Sequence, residues 1–187
     1  MRDDIQKALE VLRKGGLILY PTDTIWGIGC DATNEEAVKK LYALKRRDNR
    51  QSMLVLIDRP ERLQAYVREV PEIAWDLIEL SDRPLTLIYD GAKNLAPNLI
   101  ALDGSIGIRV THEPFSQTLC HQFRRPIVST SANISGTPSP ARFNQIQDEV
   151  KNGVDYIVTY RQDDPSEARP SGILKLGCDG TVQVIRE

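Results

Sequence analysis

The stretch Leu17-Ile18-Leu19-Tyr20-Pro21-Thr22-Asp23-Thr24-Ile25-Trp26-Gly27-Ile28-Gly29-Cys30-Asp31 sets the reading of the fold. Leu17 to Tyr20 is a short apolar run closed by Pro21, the pattern of a buried strand. The loop that follows holds threonines, an aspartate, glycines and one tryptophan. Glycines let backbone approach a ligand, hydroxyls hydrogen-bond it, and Trp26 offers a flat apolar face. The same loop reads equally well as a turn around a buried Trp. It is neither a Walker A loop nor a dinucleotide fingerprint, because GxxxxGK[ST] and GxGxxG are both absent. Upstream, Ile5, Ala8, Leu9 and Leu12 fall at helical spacing, and Gly15-Gly16 supplies a stop. Downstream, Asn34 is placed as an N-cap with Glu35 and Glu36 in the first turn, where the helix dipole favours acids. Ala37, Val38, Leu41 and Leu44 carry that helix to Lys45. A strand between two helices, joined by a polar loop, is the unit of an α/β fold.

The alternation continues outward. Met53 to Ile57, Leu85 to Tyr89, Ile106 to Val110, Ile127 to Ser129 and Tyr156 to Thr159 read as strands. Pro60 and Pro71 stand where helices begin, the second with Ile73, Leu77 and Leu80 as its apolar stripe. Phe115, Leu119 and Phe123 predict a helix after Pro114, and Phe143, Ile146 and Val150 another. The chain closes on a hairpin, Ile173 to Leu176 and Val182 to Ile185, turning at Asp179-Gly180. The expected total is about five or six helices and about seven or eight strands. With no internal repeat and no linker, residues 1–187 are expected to form one α/β domain. The terminal hairpin predicts a mixed sheet.

Composition narrows the function. The chain has 187 residues, with 24 Lys plus Arg against 26 Asp plus Glu, a net charge of −2. That argues against a surface coated in basic charge for non-specific nucleic-acid binding, while leaving room for a local basic pocket. No run approaches the roughly 18 apolar residues of a membrane span, and Asp3 and Asp4 stand where a signal peptide needs positive charge. The expected location is cytoplasmic. Cys30, Cys120 and Cys178 are far apart, with no CxxC pair, and His112 and His121 have no HExxH or HxxxH spacing; neither a disulfide framework nor a His/Cys metal centre is indicated. The cysteines are expected to pack as small apolar residues, Cys30 being set apart by its place in the first loop. The histidines are expected at the surface or at helix caps.

Three further segments look unlike scaffold. Lys45-Arg46-Arg47-Asp48-Asn49-Arg50 puts cations at a helix C-terminus, either as solvated charge complementing the dipole or as a phosphate clamp, with Lys a point charge and Arg a bidentate fork. Ser129-Thr130-Ser131-Ala132-Asn133-Ile134-Ser135-Gly136 places hydroxyls and a carboxamide at a strand end. This suits polar ligand recognition or a hydroxyl-rich turn; a serine nucleophile would lack the G-x-S-x-G elbow. Arg169-Pro170-Ser171-Gly172 precedes the terminal hairpin. Arg109, at a strand end, can join these segments or snorkel at the surface.

Pro21-Thr22-Asp23-Thr24-x-Trp26-Gly27, then Lys45-x-Arg47, then Ser131-x-Asn133 within the serine-rich run, in this order and at these separations, resembles the YrdC-like family. Its members include the threonylcarbamoyl-AMP synthases of the TsaC type. The resemblance runs from Gly16 to Leu176 and corresponds to a stand-alone catalytic domain. It implies a twisted, mixed α/β sheet flanked by helices around a concave basic cavity. It implies an enzyme, a nucleotidyltransferase that makes L-threonylcarbamoyladenylate from L-threonine, bicarbonate or CO2, and ATP, releasing pyrophosphate. Downstream threonylcarbamoyl-transfer proteins then modify the adenosine beside the anticodon in tRNA. Lys45 and Arg47 are the implied catalytic pair. Lys45, Arg47, Arg109, Ser131, Asn133, Ser135 and Ser171 are the implied ATP ligands, and Thr22, Trp26 and Arg109 the threonine ligands. Mg2+ is expected to enter with ATP rather than through a protein motif. The family's association with tRNA and double-stranded RNA implies RNA as a further partner.

The chain departs from the family in three places. Trp26 replaces the usual Tyr, Ser52-Met53 stands near a usual Pro-Leu pair, and Gly172 takes the place of a Thr. A carbamate attacking the α-phosphorus needs charge neutralisation and alignment more than a strong base, which fits a motif set without histidine. Carbamates decompose readily in water, which makes residues 27–29 and 161–170 candidate lids. Two alternatives stay open: a non-catalytic RNA-binding module, and a paralogous carbamoyl-AMP or carbamoyl-transfer enzyme.

Overall fold

The computed structural model describes residues 1–48 and 52–187, so Asn49 and Arg50 of the basic run lie outside the described residues. In chain order the elements are α1 (Arg2–Arg13), β1 (Ile18–Tyr20), β2 (Gly27–Gly29), α2 (Glu35–Lys45), β3 (Leu54–Ile57), α3 (Leu63–Tyr66), α4 (Glu72–Leu80), β4 (Leu85–Tyr89), β5 (Ile106–Val110), α5 (Pro114–Phe123), β6 (Ile127–Ser131), α6 (Asp148–Gly153), β7 (Tyr156–Ile157), β8 (Gly172–Leu176) and β9 (Val182–Arg186). All strands join one nine-stranded sheet in the order β7-β1-β2-β6-β3-β5-β4-β8-β9. The pairs β1–β7, β3–β5 and β4–β8 are parallel and the rest antiparallel, so the sheet is mixed.

Helices α1, α2 and α5 form for the reasons read from the sequence, whereas in α4 Leu80 of the expected stripe is exposed and only Ala74 is buried. Ile5, Ala8, Leu9 and Leu12 of α1 are buried. Asn34 caps α2 by accepting from the Ala37 N–H at 3.1 Å. Phe115, Leu119 and Phe123 of α5 are buried, and Glu113 caps that helix by accepting from the Ser116 N–H at 2.7 Å. The terminal hairpin turns at Gly180, whose φ of +84° is the left-handed geometry that suits glycine.

Four expectations change. Residues 27–29, read as loop and candidate lid, form a buried central strand, β2, between β1 and β6. Gly-Ile-Gly is a poor strand signal, yet a Cβ on Gly29 would lie 2.6 Å from the Tyr20 ring and 2.6 Å from the Val128 carbonyl. Glycine is what lets three strands close up here. Second, the helix expected over Phe143 to Val150 is split into a 3-10 turn, Phe143–Gln145, and α6. The Gln145 side chain turns back to accept from the Ala141 and Arg142 N–H groups, which closes the turn. Third, the strand expected to reach Thr159 stops at Ile157. The Thr159 and Tyr160 N–H groups donate to the carboxylate of Asp4 in α1 at 2.9 and 3.2 Å, so a side chain takes the place of a neighbouring strand. Fourth, the helix expected at Pro60 is a 3-10 turn followed by the four residues of α3.

Cysteines and histidines divide by burial. Cys30 and Cys120 are buried, and burial pushes both thiols up, so Cys30 is an inert core residue. Cys178 is exposed in the terminal turn, contrary to expectation. His121 is a surface residue with Nδ1 3.0 Å from Asp58 Oδ2, and His112 is exposed.

Candidate functional site

A cavity of about 290 Å³ opens over the middle of the sheet, with lining from β2, β4, β5, β6, β8 and β9. Its walls carry hydroxyls from Thr24, Thr86, Ser129, Thr130, Ser131 and Ser171, and guanidinium groups from Arg47, Arg109 and Arg186. Glycine shapes its floor: a Cβ on Gly107 would meet Thr86 Cγ2 at 3.3 Å and Leu54 Cβ at 3.4 Å.

One end is built by the C-terminus of α2. The helix finishes in a Schellman turn, with the Arg47 N–H on the Tyr42 carbonyl and the Arg46 N–H on the Ala43 carbonyl. Arg46 holds the left-handed position at φ +51°. The turn reverses the chain and brings Arg47 to the cavity wall, where its Nη2 donates to the Ser52 carbonyl at 2.9 Å. Lys45 lies beneath the wall, 1% exposed. Its Nζ donates to the Ser131 carbonyl at 2.6 Å, to Asn133 Oδ1 at 3.2 Å and to Ser131 Oγ at 3.4 Å. All three acceptors are uncharged. Burial, reinforced by Arg47, pushes the Lys45 ammonium down to about 7. Ser131 Oγ donates to Asn133 Oδ1 at 2.5 Å, and Asn133 Nδ2 donates to the Thr137 carbonyl at 2.6 Å. Lys45, Ser131 and Asn133 thus form one connected unit.

The other end is built on β5. Arg109 is 2% exposed. Its Nε donates to Asp23 Oδ1 at 3.0 Å, its Nη2 to Thr24 Oγ1 at 3.2 Å and its Nη1 to Thr86 Oγ1 at 3.4 Å. The Thr86 and Ser171 hydroxyls are 2.8 Å apart, and Arg186 Nε donates to the Ser171 carbonyl at 2.8 Å. Partial desolvation and the neighbouring Arg109 lower the pKa of Arg186, which is otherwise exposed.

Of the residues predicted from sequence, Trp26, Arg47, Arg109, Ser131 and Ser171 line the cavity. Lys45 and Asn133 sit behind Ser131. Ser135 is set back; its N–H donates to the Lys45 carbonyl at 2.9 Å, which ties the serine-rich loop to the end of α2. Thr22 is buried away from the cavity, where its hydroxyl donates to the Ile25 carbonyl at 2.8 Å and accepts from the Thr24 N–H at 3.0 Å, folding the loop. Trp26 packs against Phe143, ring centroids 4.8 Å apart, at the cavity wall. Thr86 and Arg186 escaped the sequence reading. Thr86 is a lone hydroxyl in an apolar strand, and Arg186 reads as an ordinary surface cation. Only the pairing of β4 with β5 and β8, and of β8 with β9, discloses them.

The fold and the site together define a protein with a concave, hydroxyl-rich cavity and cations at both ends. The model of the Sua5, YciO and YrdC proteins, described as "Telomere recombination", matches residues 10–187, and the chain belongs to this family. A threonylcarbamoyl-AMP synthase of Photobacterium profundum is 33% identical over 181 residues, covering 89% of this chain and 94% of its own. The structure of E. coli YciO superposes with a TM-score of 0.86 at 26% identity, covering 100% of this chain and 90% of that one. P. abyssi Sua5 complexed with L-threonine superposes with a TM-score of 0.82 at 27% identity over 92% of this chain; the chain spans 50% of that protein's length.

Proposed function

We propose that this chain is an L-threonylcarbamoyladenylate synthase. It condenses L-threonine, bicarbonate or CO2, and ATP, releases pyrophosphate, and supplies the first step of threonylcarbamoyl modification of tRNA in the cytoplasm. The observation that carries the reading is the two-ended cavity: Lys45 and Arg47 at one end, Arg109 at the other, hydroxyls between.

In this reading residues 1–187 act as one catalytic domain. The threonine amine and CO2 give a carbamate. A carbamate oxygen attacks the α-phosphorus, a P–O bond forms, and the bond to the pyrophosphate oxygen breaks. No strong base is required once the carbamate exists; the protein's work is charge neutralisation and alignment. Arg47 presents its fork to the phosphates, and Lys45 reinforces the same end through the Ser131–Asn133 unit. Ser131, Asn133 and Ser135 hold the nucleotide side. Arg109 holds the threonine carboxylate or a phosphate oxygen, with Ser171 beside it through Thr86. Trp26 supplies the apolar wall of the threonine pocket, and Thr22 folds the loop that carries it. Among the described residues no group of three or more His, Cys, Asp or Glu side chains is arranged to hold a metal ion. Mg2+ would arrive on the ATP phosphates. Among the described residues no helix is long and apolar enough to cross a membrane.

The test is incubation of purified protein with ATP, Mg2+, L-threonine and labelled bicarbonate, followed by mass spectrometry of the nucleotides. Threonine-dependent label in a threonylcarbamoyl-AMP product is the expected result. A folded protein that binds ATP and makes no such product would point to a related carbamoyl substrate. One that binds RNA, with steep salt dependence and no ATP turnover, would be a binding module. Transfer of the product to tRNA by downstream proteins follows from the same assay with those proteins and tRNA added.

A further inference from the structure

Arg161 stands at φ +65°, in the left-handed region that disfavours any residue with a side chain. It is not at a loose tip. Immediately upstream, Asp4 of α1 holds the Thr159 and Tyr160 N–H groups. Its own side chain makes three separate contacts. Nη1 donates to the Thr22 carbonyl at 3.2 Å and lies 3.3 Å from Glu113 Oε1, and Nη2 lies 3.0 Å from Asp164 Oδ2.

Those partners converge on one residue, Arg109. Thr22 folds the loop that supplies Asp23 and Thr24, two of the acceptors around the Arg109 guanidinium. Glu113 caps α5 at the end of the short connection that leaves β5 just after Arg109. Residues 161–170 lead directly to Ser171, which meets Thr86, the third acceptor of Arg109. The contacts close a ring: Arg161 to Thr22, through Asp23 and Thr24 to Arg109, through Thr86 to Ser171, and back along the chain to Arg161. A strained backbone held by surrounding contacts is the form in which proteins store geometry at functional sites.

We propose that Arg161 is a positioning residue that fixes the orientation of the Arg109 guanidinium, and that affinity for the small anionic substrate at that end of the cavity depends on it. The assignment of that substrate as threonine rests on the proposed function. Arg161→Gly suits the positive φ and so removes the side chain while relieving the backbone. It takes a cation from the buried Glu113 carboxylate, so a modest fall in the thermal midpoint is expected, together with a rise of about tenfold in KM for threonine, an unchanged kcat and a KM for ATP within about twofold. Arg161→Lys, which keeps one cationic contact, is expected to fall between Arg161→Gly and the parent. The 15N resonance of Arg109 Nε, assigned by its absence in Arg109→Lys, gives a readout independent of turnover; it should shift or broaden in Arg161→Gly. An unmoved resonance with unchanged KM values overturns the proposal. So does a loss of kcat together with a rise of both KM values, which is the pattern of a merely structural residue. If the parent makes no threonylcarbamoyl-AMP, the functional reading fails by itself, and the Arg109 resonance alone decides the positioning role.

Discussion

The two ends of the cavity carry the same sign of charge and are built in opposite ways. At the β5 end, Arg109 is matched by Asp23 at 3.0 Å and steadied by two threonine hydroxyls. At the α2 end, Lys45 is buried, and among the described residues its ammonium meets a carbonyl, an amide oxygen and a hydroxyl. A paired buried cation is oriented but largely neutralised; an unmatched one is costly and strongly attractive to an incoming anion. The matched end therefore suits placement of one small carboxylate. The end that holds Lys45 suits a polyphosphate, whose charge supplies what the neutral acceptors around its ammonium do not.

The largest effect that breaks this contrast is loss of the clamp. Arg47→Ala and Lys45→Ala are each expected to cut turnover by about a hundredfold or more, in line with roughly 2–4 kcal/mol for a lost electrostatic contact in the transition state. Neither should unfold the chain, and Lys45→Ala removes an uncompensated buried charge. Thermal melts beside steady-state rates check both halves. Near-native turnover in either variant would remove that residue from the clamp.

The matched end should respond in the other currency, stability. Asp23→Asn leaves Arg109 buried beside a neutral amide that still accepts its Nε–H. The expected loss is about 2 kcal/mol, less than for outright removal of a buried partner. Chemical denaturation reads it, and a loss no greater than in Lys45→Ala would erase the distinction between the ends. Thr86→Val is smaller. It removes one hydrogen bond to Arg109 and one to Ser171, for about 1 kcal/mol of stability, together with a rise in KM for threonine and little change in that for ATP.

The same contrast explains what sequence can carry. The α2 end is local: a capped helix, its apolar stripe and the basic residues after it lie within one short segment, so the cation cluster is visible in the residue pattern, while its reading as a phosphate clamp comes from the ordered motifs of the family resemblance. The serine-rich run is legible too, as a strand end dense in hydroxyls. The β5 end is assembled from the loop after β1, from β4, β5 and β8, and from the terminal strand, and no one of these announces its contribution. Thr86 looks like an interruption in an apolar strand, and Arg186 like a surface charge. β2 is hidden for a different reason: its glycines serve close packing against Tyr20 and Val128, and packing of that kind outweighs local propensity. Thr22 is a motif residue whose hydroxyl is spent on folding its loop, which residue type alone does not distinguish from contact with a ligand.

The finest prediction concerns protons. In the free protein burial holds Lys45 at about 7, against 10.5 for an ordinary lysine. Its folded pKa is thus depressed below its unfolded one. Between about 7 and about 10 the unfolded chain binds more protons than the folded one, so this group makes stability rise with pH across that window; below about 7 both states are protonated and the dependence vanishes. A phosphate arriving near Lys45 favours the ammonium and raises its pKa again. ATP binding between pH 7 and 9 should therefore take up a fraction of a proton, on top of any uptake by the nucleotide itself. Titration calorimetry in buffers of different ionisation enthalpy measures that number, and Lys45→Met should lower it. Threonine binding at the matched end should show no such term that depends on Lys45. Equal uptake by parent and variant would mean that Lys45 keeps its proton in the free protein despite its neutral surroundings.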